Sequence, residues 1–118
     1  MKIPNFIVED MIDSIDLIQV YLQDTTEEQF FRNTELQDAV IRRLMIIGEA
    51  ATKITDEIRS QKPDIPWKTI VAFRNIAIHE YANVSMDKVW EIYKTELPIL
   101  QNQLRTLLNI LPPPPKPS

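Results

Sequence analysis

The sequence predicts an all-helical domain, and three observations lead there. The 118 residues include one glycine, Gly48, and helix formers (Leu, Ile, Gln, Glu, Arg) run throughout, so the turn residues that hairpins require are missing. Apolar residues recur at spacings of three and four rather than two. A hydrophobic content of 44% and a charged content of 25% over this length suit one ordinary globular domain. Helices running up and down and joined by short turns make a bundle, here of four to five helices. The expected division is a helical domain over residues 1–111 and a proline-rich tail over 112–118.

A first helix is expected from about residue 5 to 23, with Val8, Met11, Ile12, Ile15, Ile18 and Leu22 on one stripe and Glu9, Asp13 and Asp16 off it. Asp24-Thr25-Thr26 interrupts it. Thr26 with Gln29 then has the form of a capping box opening a short second helix through Phe30 and Phe31, and Thr34 with Gln37 repeats the pattern. The third helix is expected over about 35 to 59, along a seam of Leu36, Val40, Leu44, Ile47, Ala51, Ile54 and Ile58. Gly48 inside it costs roughly 1 kcal/mol relative to alanine, so either a close helix approach offsets that cost or the helix is locally weak.

Lys62-Pro63-Asp64-Ile65-Pro66 ends the third helix, and Asp64 with Pro66 suits the start of a fourth. After Tyr81, Ala82-Asn83-Val84-Ser85 reads as a turn in which Ser85 caps a fifth helix and Val84 packs on Val89 as a hydrophobic staple. That helix should run to about residue 110 with a kink near Pro98. The tail from Pro112 to Ser118 is expected to be extended polyproline or disordered, either a solvated helix stop or a proline-rich ligand.

Composition narrows function. A formal net charge of −4 and a pI near 5.0 argue against nucleic-acid binding through a broad basic surface, although a small local anion site is compatible with both. With no cysteine and a single histidine, thiol catalysis, disulfides, cysteine-ligated zinc and a histidine-rich metal site within one chain are excluded. No cofactor or metal is expected. No segment approaches about 18 consecutive apolar residues and the amino terminus lacks a secretory pattern, so a cytoplasmic protein without a membrane partner is expected.

The chemistry gathers in the octet Arg74-Asn75-Ile76-Ala77-Ile78-His79-Glu80-Tyr81 on the fourth helix. Arginine is a permanent cation with a planar donor fork suited to phosphate, and histidine can exchange a proton near neutrality. On a wheel of about 100° per residue, Trp67, Ile70, Val71, Ile78 and Tyr81 lie within about 60° of Arg74. Lys68, Asn75 and His79 form a separate polar stripe at about 100° to 140°. The helix is apolar elsewhere and should be central. A guanidinium in an apolar stripe needs a partner. That partner is either a carboxylate such as Asp13, Asp16 or Glu49, or a phosphate in a groove.

Arg74 and His79 are separated by about 140° and about 7.5 Å of rise, so a rigid helix does not aim both in one direction. Two copies paired about a two-fold axis would bring two arginines and two histidines into one cleft. Metal-free RNA cleavage by a 2′-hydroxyl needs one group to remove a proton and another to protonate the leaving oxygen. One chain offers one imidazole and a dimer offers two.

The octet resembles the signature of the HEPN superfamily, specifically of HepT-type toxins: Arg74, the polar Asn75, His79 and Tyr81 stand at the matching positions. Trp67 seven residues earlier and the Ile47-Gly48-Glu49-Ala50 segment are also similar, and the resemblance spans roughly residues 5 to 110. It implies a homodimeric helical bundle that cleaves RNA without metal. In that reading Arg74 stabilises charge on phosphate, His79 is the acid or base and Asn75 orients substrate or imidazole. It further implies an MNT-type nucleotidyltransferase antitoxin that transfers AMP to Tyr81. Arg42, Arg43, Lys53, Lys68 and Arg74 would supply local positive charge. Two other readings remain open. One is a non-catalytic HEPN subunit that binds a nucleotide or serves as platform and substrate for a nucleotidyltransferase; the other is a plain dimeric bundle in which Arg74 forms a structural ion pair.

Overall fold

Helix α1 (Pro4–Leu22) buries Val8, Met11, Ile12, Ile15, Ile18 and Leu22, the whole of its expected stripe. The computed structural model describes residues 3–79 and 85–114, and for 76–79 the backbone alone. Among the described residues six further α-helices follow: α2 (Glu27–Phe31), α3 (Thr34–Thr52), α4 (Asp56–Arg59), α5 (Trp67–His79), α6 (Met86–Glu91) and α7 (Leu97–Ile110). A π-helical turn, Ile92–Glu96, joins α6 to α7. There is no strand among the described residues, and the expected all-α bundle is observed.

The predicted capping box opens α2: Gln29 N–H donates to Thr26 Oγ1 at 3.1 Å and Thr26 N–H donates to Gln29 Oε1 at 2.9 Å. The second box is not formed as expected. Asn33, one residue earlier, caps α3 by accepting from Leu36 N–H at 3.0 Å. Gln37 turns backwards, its Nε2 donating to the carbonyls of Phe30 and Phe31 at 3.0 and 3.1 Å, which satisfies acceptors left open where α2 ends. Asn33→Ala should therefore lower stability by about 1 kcal/mol in urea unfolding, the usual cost of a lost N-cap.

The third helix is shorter than the apolar seam implies. It ends at Thr52, and Thr55 caps a separate turn, α4, through Ile58 N–H at 3.4 Å. Ile54 stays buried and Ile58 packs on the core, so the seam continues through the break. Arg59 stabilises that break: its Nε donates to Ile54 O at 3.1 Å and its Nη2 to Ala51 O at 2.8 Å. The same guanidinium lies 5.7 Å from the Trp67 ring centroid, tying the end of α3 to the start of α5.

Helix α3 packs most extensively on α5 and next on α1, and α1 packs on α7. The expectation that α5 is central is thus corrected. Thr69 and Ala72 join Lys68, Arg74 and Asn75 as exposed positions on α5, and α3 lies between α5 and α1. Phe30, fully buried, anchors α2 against Trp90 with ring centroids 5.5 Å apart, and Trp90 meets Tyr93 edge-on at 5.1 Å.

Near Pro98 the chain takes the π-helical turn, in which Leu97 N–H reaches Ile92 O, five residues back. Proline has no N–H to donate to the preceding turn, which accounts for the irregularity at this place. Ser85 occupies the N-cap position of α6 but makes no side-chain cap hydrogen bond. The Val84 staple lies outside the described residues. At the carboxyl end the buried Asn5 donates from Nδ2 to Pro112 O at 3.0 Å, holding the first tail residue against α1. Residues 115–118, where the extended or disordered tail was expected to continue, lie outside the described residues.

Candidate active site

The start of α5 is held from several sides. Pro66 O accepts the first helical bond from Ile70 N–H at 3.0 Å, and Trp67 Nε1 donates to Lys62 O at 3.2 Å. Gln103 of α7 donates to Asp64 O at 3.0 Å, and Lys62 Nζ lies 3.1 Å from Asp64 Oδ1. The Lys62 ammonium holds the Asp64 carboxyl below its ordinary pKa. Trp67, Ile70 and Phe73 then bury one face of the helix. That face is centred away from Arg74, because Phe73, about 100° round from it, is also buried.

Arg74 is consequently an edge residue. Its side chain is 45% exposed, and Nε donates to Oε1 of Glu49, itself 41% exposed. The structure selects Glu49 among the three carboxylates considered, since Asp16 faces Gln101 and Arg105 of α7 and Asp13 is exposed on α1. A solvent-screened pair of this kind contributes at most about 1 kcal/mol. Arg74 is therefore neither a stranded buried charge nor a major support of the fold, and its solvated position is compatible with anion contact.

Gly48 explains how the two helices come so close. A Cβ at this position would lie 2.5 Å from Arg74 N and 2.9 Å from Arg74 Cβ. The glycine thus serves close helix approach, and it sets the neighbouring Glu49 beside Arg74. Of the two explanations its sequence position allowed, this is the one observed.

Lys68 and Asn75 are both exposed on α5, in keeping with the polar stripe. His79 lies on α5 one helical turn beyond Asn75; its side chain is not among those described. Tyr81 lies outside the described residues. Arg42 and Arg43 lie on α3 and Lys53 is its C-cap residue, about 16 Å of rise beyond Arg42. The cavity of about 200 Å³ between α5 and α7, lined by Asp64, Phe73, Glu96 and Gln103 among others, does not include Arg74 or Asn75. Nor does the larger one, about 500 Å³, beside Pro112–Pro114. Among the described residues, this part of α5 presents Arg74, gripped by Glu49, beside the exposed Asn75.

The HepT-like family profile, described as ribonuclease HepT-like, matches residues 11–107. The chain belongs to the HepT-like ribonuclease family. It is 33% identical over 100 residues to a Thermococcus cleftensis protein named as a probable ribonuclease HepT, covering 85% of this chain and 91% of that one. A Caldanaerobacter subterraneus subsp. tengcongensis protein named as a candidate RNase is 32% identical over 108 residues, or 92% of this chain and 96% of the relative. A Methanocaldococcus jannaschii protein named as a gamma-glutamylcyclotransferase and candidate RNase is 40% identical over 101 residues. That match covers 86% of this chain but 46% of the longer relative. No solved structure gives a significant match. For the HepT-like chain, ribonuclease activity is the family-level expectation. Among the described residues no helix is long and apolar enough to cross a membrane.

Proposed function

We propose that this HepT-like protein is a metal-independent endoribonuclease that acts as a homodimer and forms the toxin of a two-gene type II toxin–antitoxin module. The observation that carries the reading is Arg74, solvent-accessible and gripped through Nε, on the helix that also carries the chain's one histidine. In the proposed reaction an imidazole removes the proton of a ribose 2′-hydroxyl, whose oxygen attacks the adjacent phosphorus. The P–O5′ bond breaks, a second imidazole protonates the leaving oxygen, and the products carry a 2′,3′-cyclic phosphate and a 5′-hydroxyl. Arg74 stabilises the charge that builds on the phosphoryl oxygens, and Asn75 orients substrate or imidazole. A second copy supplies the second His79 and converts an open helix face into a cleft. RNA cleavage in the presence of EDTA, with 5′-hydroxyl and cyclic-phosphate ends, tests this chemistry. Loss of cleavage on chelation would refute the metal-free mechanism.

Neutralisation is assigned to an MNT-type nucleotidyltransferase that transfers AMP to Tyr81, where added phosphate charge would obstruct the cleft. Coexpression with such a partner should raise the intact mass by one or more adenylyl groups, and Tyr81→Phe should abolish that increase. An unchanged mass increase in the variant would remove Tyr81 from this role. The acidic net charge of −4 favours one other reading, a non-catalytic subunit that binds a nucleotide or serves as platform and substrate for the nucleotidyltransferase. That reading requires AMP transfer to Tyr81 together with an unmodified wild type that does not cut RNA.

A further inference from the structure

We propose that Glu49 is a positioning residue for the ribonuclease site, gripping Arg74 at Nε so that the two terminal nitrogens of the guanidinium are aimed at the RNA phosphate. The proposal rests on the ribonuclease reading above and assigns a role to a residue on a different helix from the octet. Arginine carries five N–H donors, one on Nε and four on the terminal nitrogens. Glu49 takes the Nε–H and does not occupy those four. Bidentate recognition of phosphate needs a planar fork held in one orientation. A long side chain at an exposed helix position would otherwise sample several rotamers. A carboxylate on the inner nitrogen removes that freedom without competing for the outer edge.

The backbone makes the same arrangement rigid. Gly48 lets α3 approach until its own backbone is against that of Arg74, so residue 49 stands beside the guanidinium stem whenever the two helices are packed. Neither partner is buried enough for the pair to be a substantial support of the fold, with side-chain exposures of 41% for Glu49 and 45% for Arg74. A preorganised donor stabilises a transition state because no reorientation is needed as charge develops. This places the consequence of Glu49 in turnover more than in substrate capture.

The test compares the full-length wild type with Glu49→Ala and Glu49→Gln. Glutamine retains an oxygen that can accept from Nε, whereas alanine does not. Glu49→Ala should lower kcat for RNA cleavage by about 10- to 100-fold with KM changed less than about threefold, and Glu49→Gln should recover most of the loss. Thermal midpoints of the three proteins should coincide within a few degrees. A Glu49→Ala protein that cuts as fast as wild type or faster would overturn the proposal, because Glu49 would then merely screen Arg74. So would a Glu49→Gln protein as impaired as the alanine variant.

A second readout does not depend on turnover. In ¹H–¹⁵N spectra the Arg74 Nε–H should be protected from exchange in wild type and Glu49→Gln and unprotected in Glu49→Ala. A non-cleavable oligonucleotide with 2′-deoxyribose at the scissile position should shift the terminal nitrogens and leave Nε–H protected. If the wild type does not cut RNA, the ribonuclease reading fails while this experiment still decides the grip. Displacement of Glu49 from Nε by the oligonucleotide would overturn the grip even in an active enzyme.

Discussion

Replacing His79 by alanine should lower the rate of RNA cleavage by about 10²- to 10⁴-fold, the range contributed by a positioned general acid or base, and should abolish growth arrest on expression. The size of the effect follows from composition. There is one histidine in the chain and no cysteine, so no neighbouring side chain of similar proton affinity can substitute. In a homodimer both imidazoles disappear with a single substitution, one serving as base and the other as acid. The wild type should accordingly show a bell-shaped dependence of kcat/KM on pH around neutrality. Purified His79→Ala that still cleaves RNA at the wild-type rate, with circular dichroism confirming its fold, would remove His79 from the mechanism. Arg74→Ala is the companion variant: it should lower kcat by a comparable factor without moving the pH profile, since its guanidinium does not titrate in the accessible range. Separate effects of the two variants on the profile would distinguish proton transfer from charge stabilisation.

The long apolar stripes were legible because they are periodic. All six residues of the α1 stripe are buried, and Val40, Leu44, Ile47, Ala51 and Ile54 of the α3 seam are buried too. The end of α3 was not legible from the seam. Ile54 and Ile58 keep facing the core after the helix breaks, so periodicity alone does not register the turn between them. The signals were Thr55, an N-cap residue followed by Asp56 and Glu57, and Arg59, which satisfies the carbonyls released at the break. At the site, a wheel drawn around Arg74 captured the separate exposed stripe of Lys68 and Asn75 but placed the guanidinium within the apolar face. Phe73 shifts that face round the helix, and its effect depends on where α3 lies, which is a property of packing between helices. From the sequence Glu49 is one of three carboxylates; helix packing distinguishes it, since the crossing at Gly48 sets it beside Arg74 while Asp16 faces α7 and Asp13 is exposed.

Gly48→Ala should destabilise the protein even though alanine is the better helix former. In an exposed helix interior the substitution would gain about 1 kcal/mol. Here the new methyl would stand 2.5 Å from Arg74 N, a backbone atom that cannot rotate away, so α3 and α5 must separate. Overpacking of this kind costs about 1–3 kcal/mol and would also loosen Trp67, Ile70 and Phe73, which that face of α5 buries. With the larger cost prevailing, the thermal midpoint should fall by several degrees, given roughly 4–8 °C per kcal/mol for a small domain. Cleavage should fall further than stability explains, because widening the crossing also moves Glu49 away from Arg74 Nε. Gly48→Val should extend both losses. A Gly48→Ala protein with a raised midpoint would mean that helix propensity outweighs the crossing, and the close approach would then lose its place in the account of both fold and site. A lowered midpoint with unchanged kcat would instead confine the glycine to the fold and detach the separation of α3 and α5 from the orientation of Arg74.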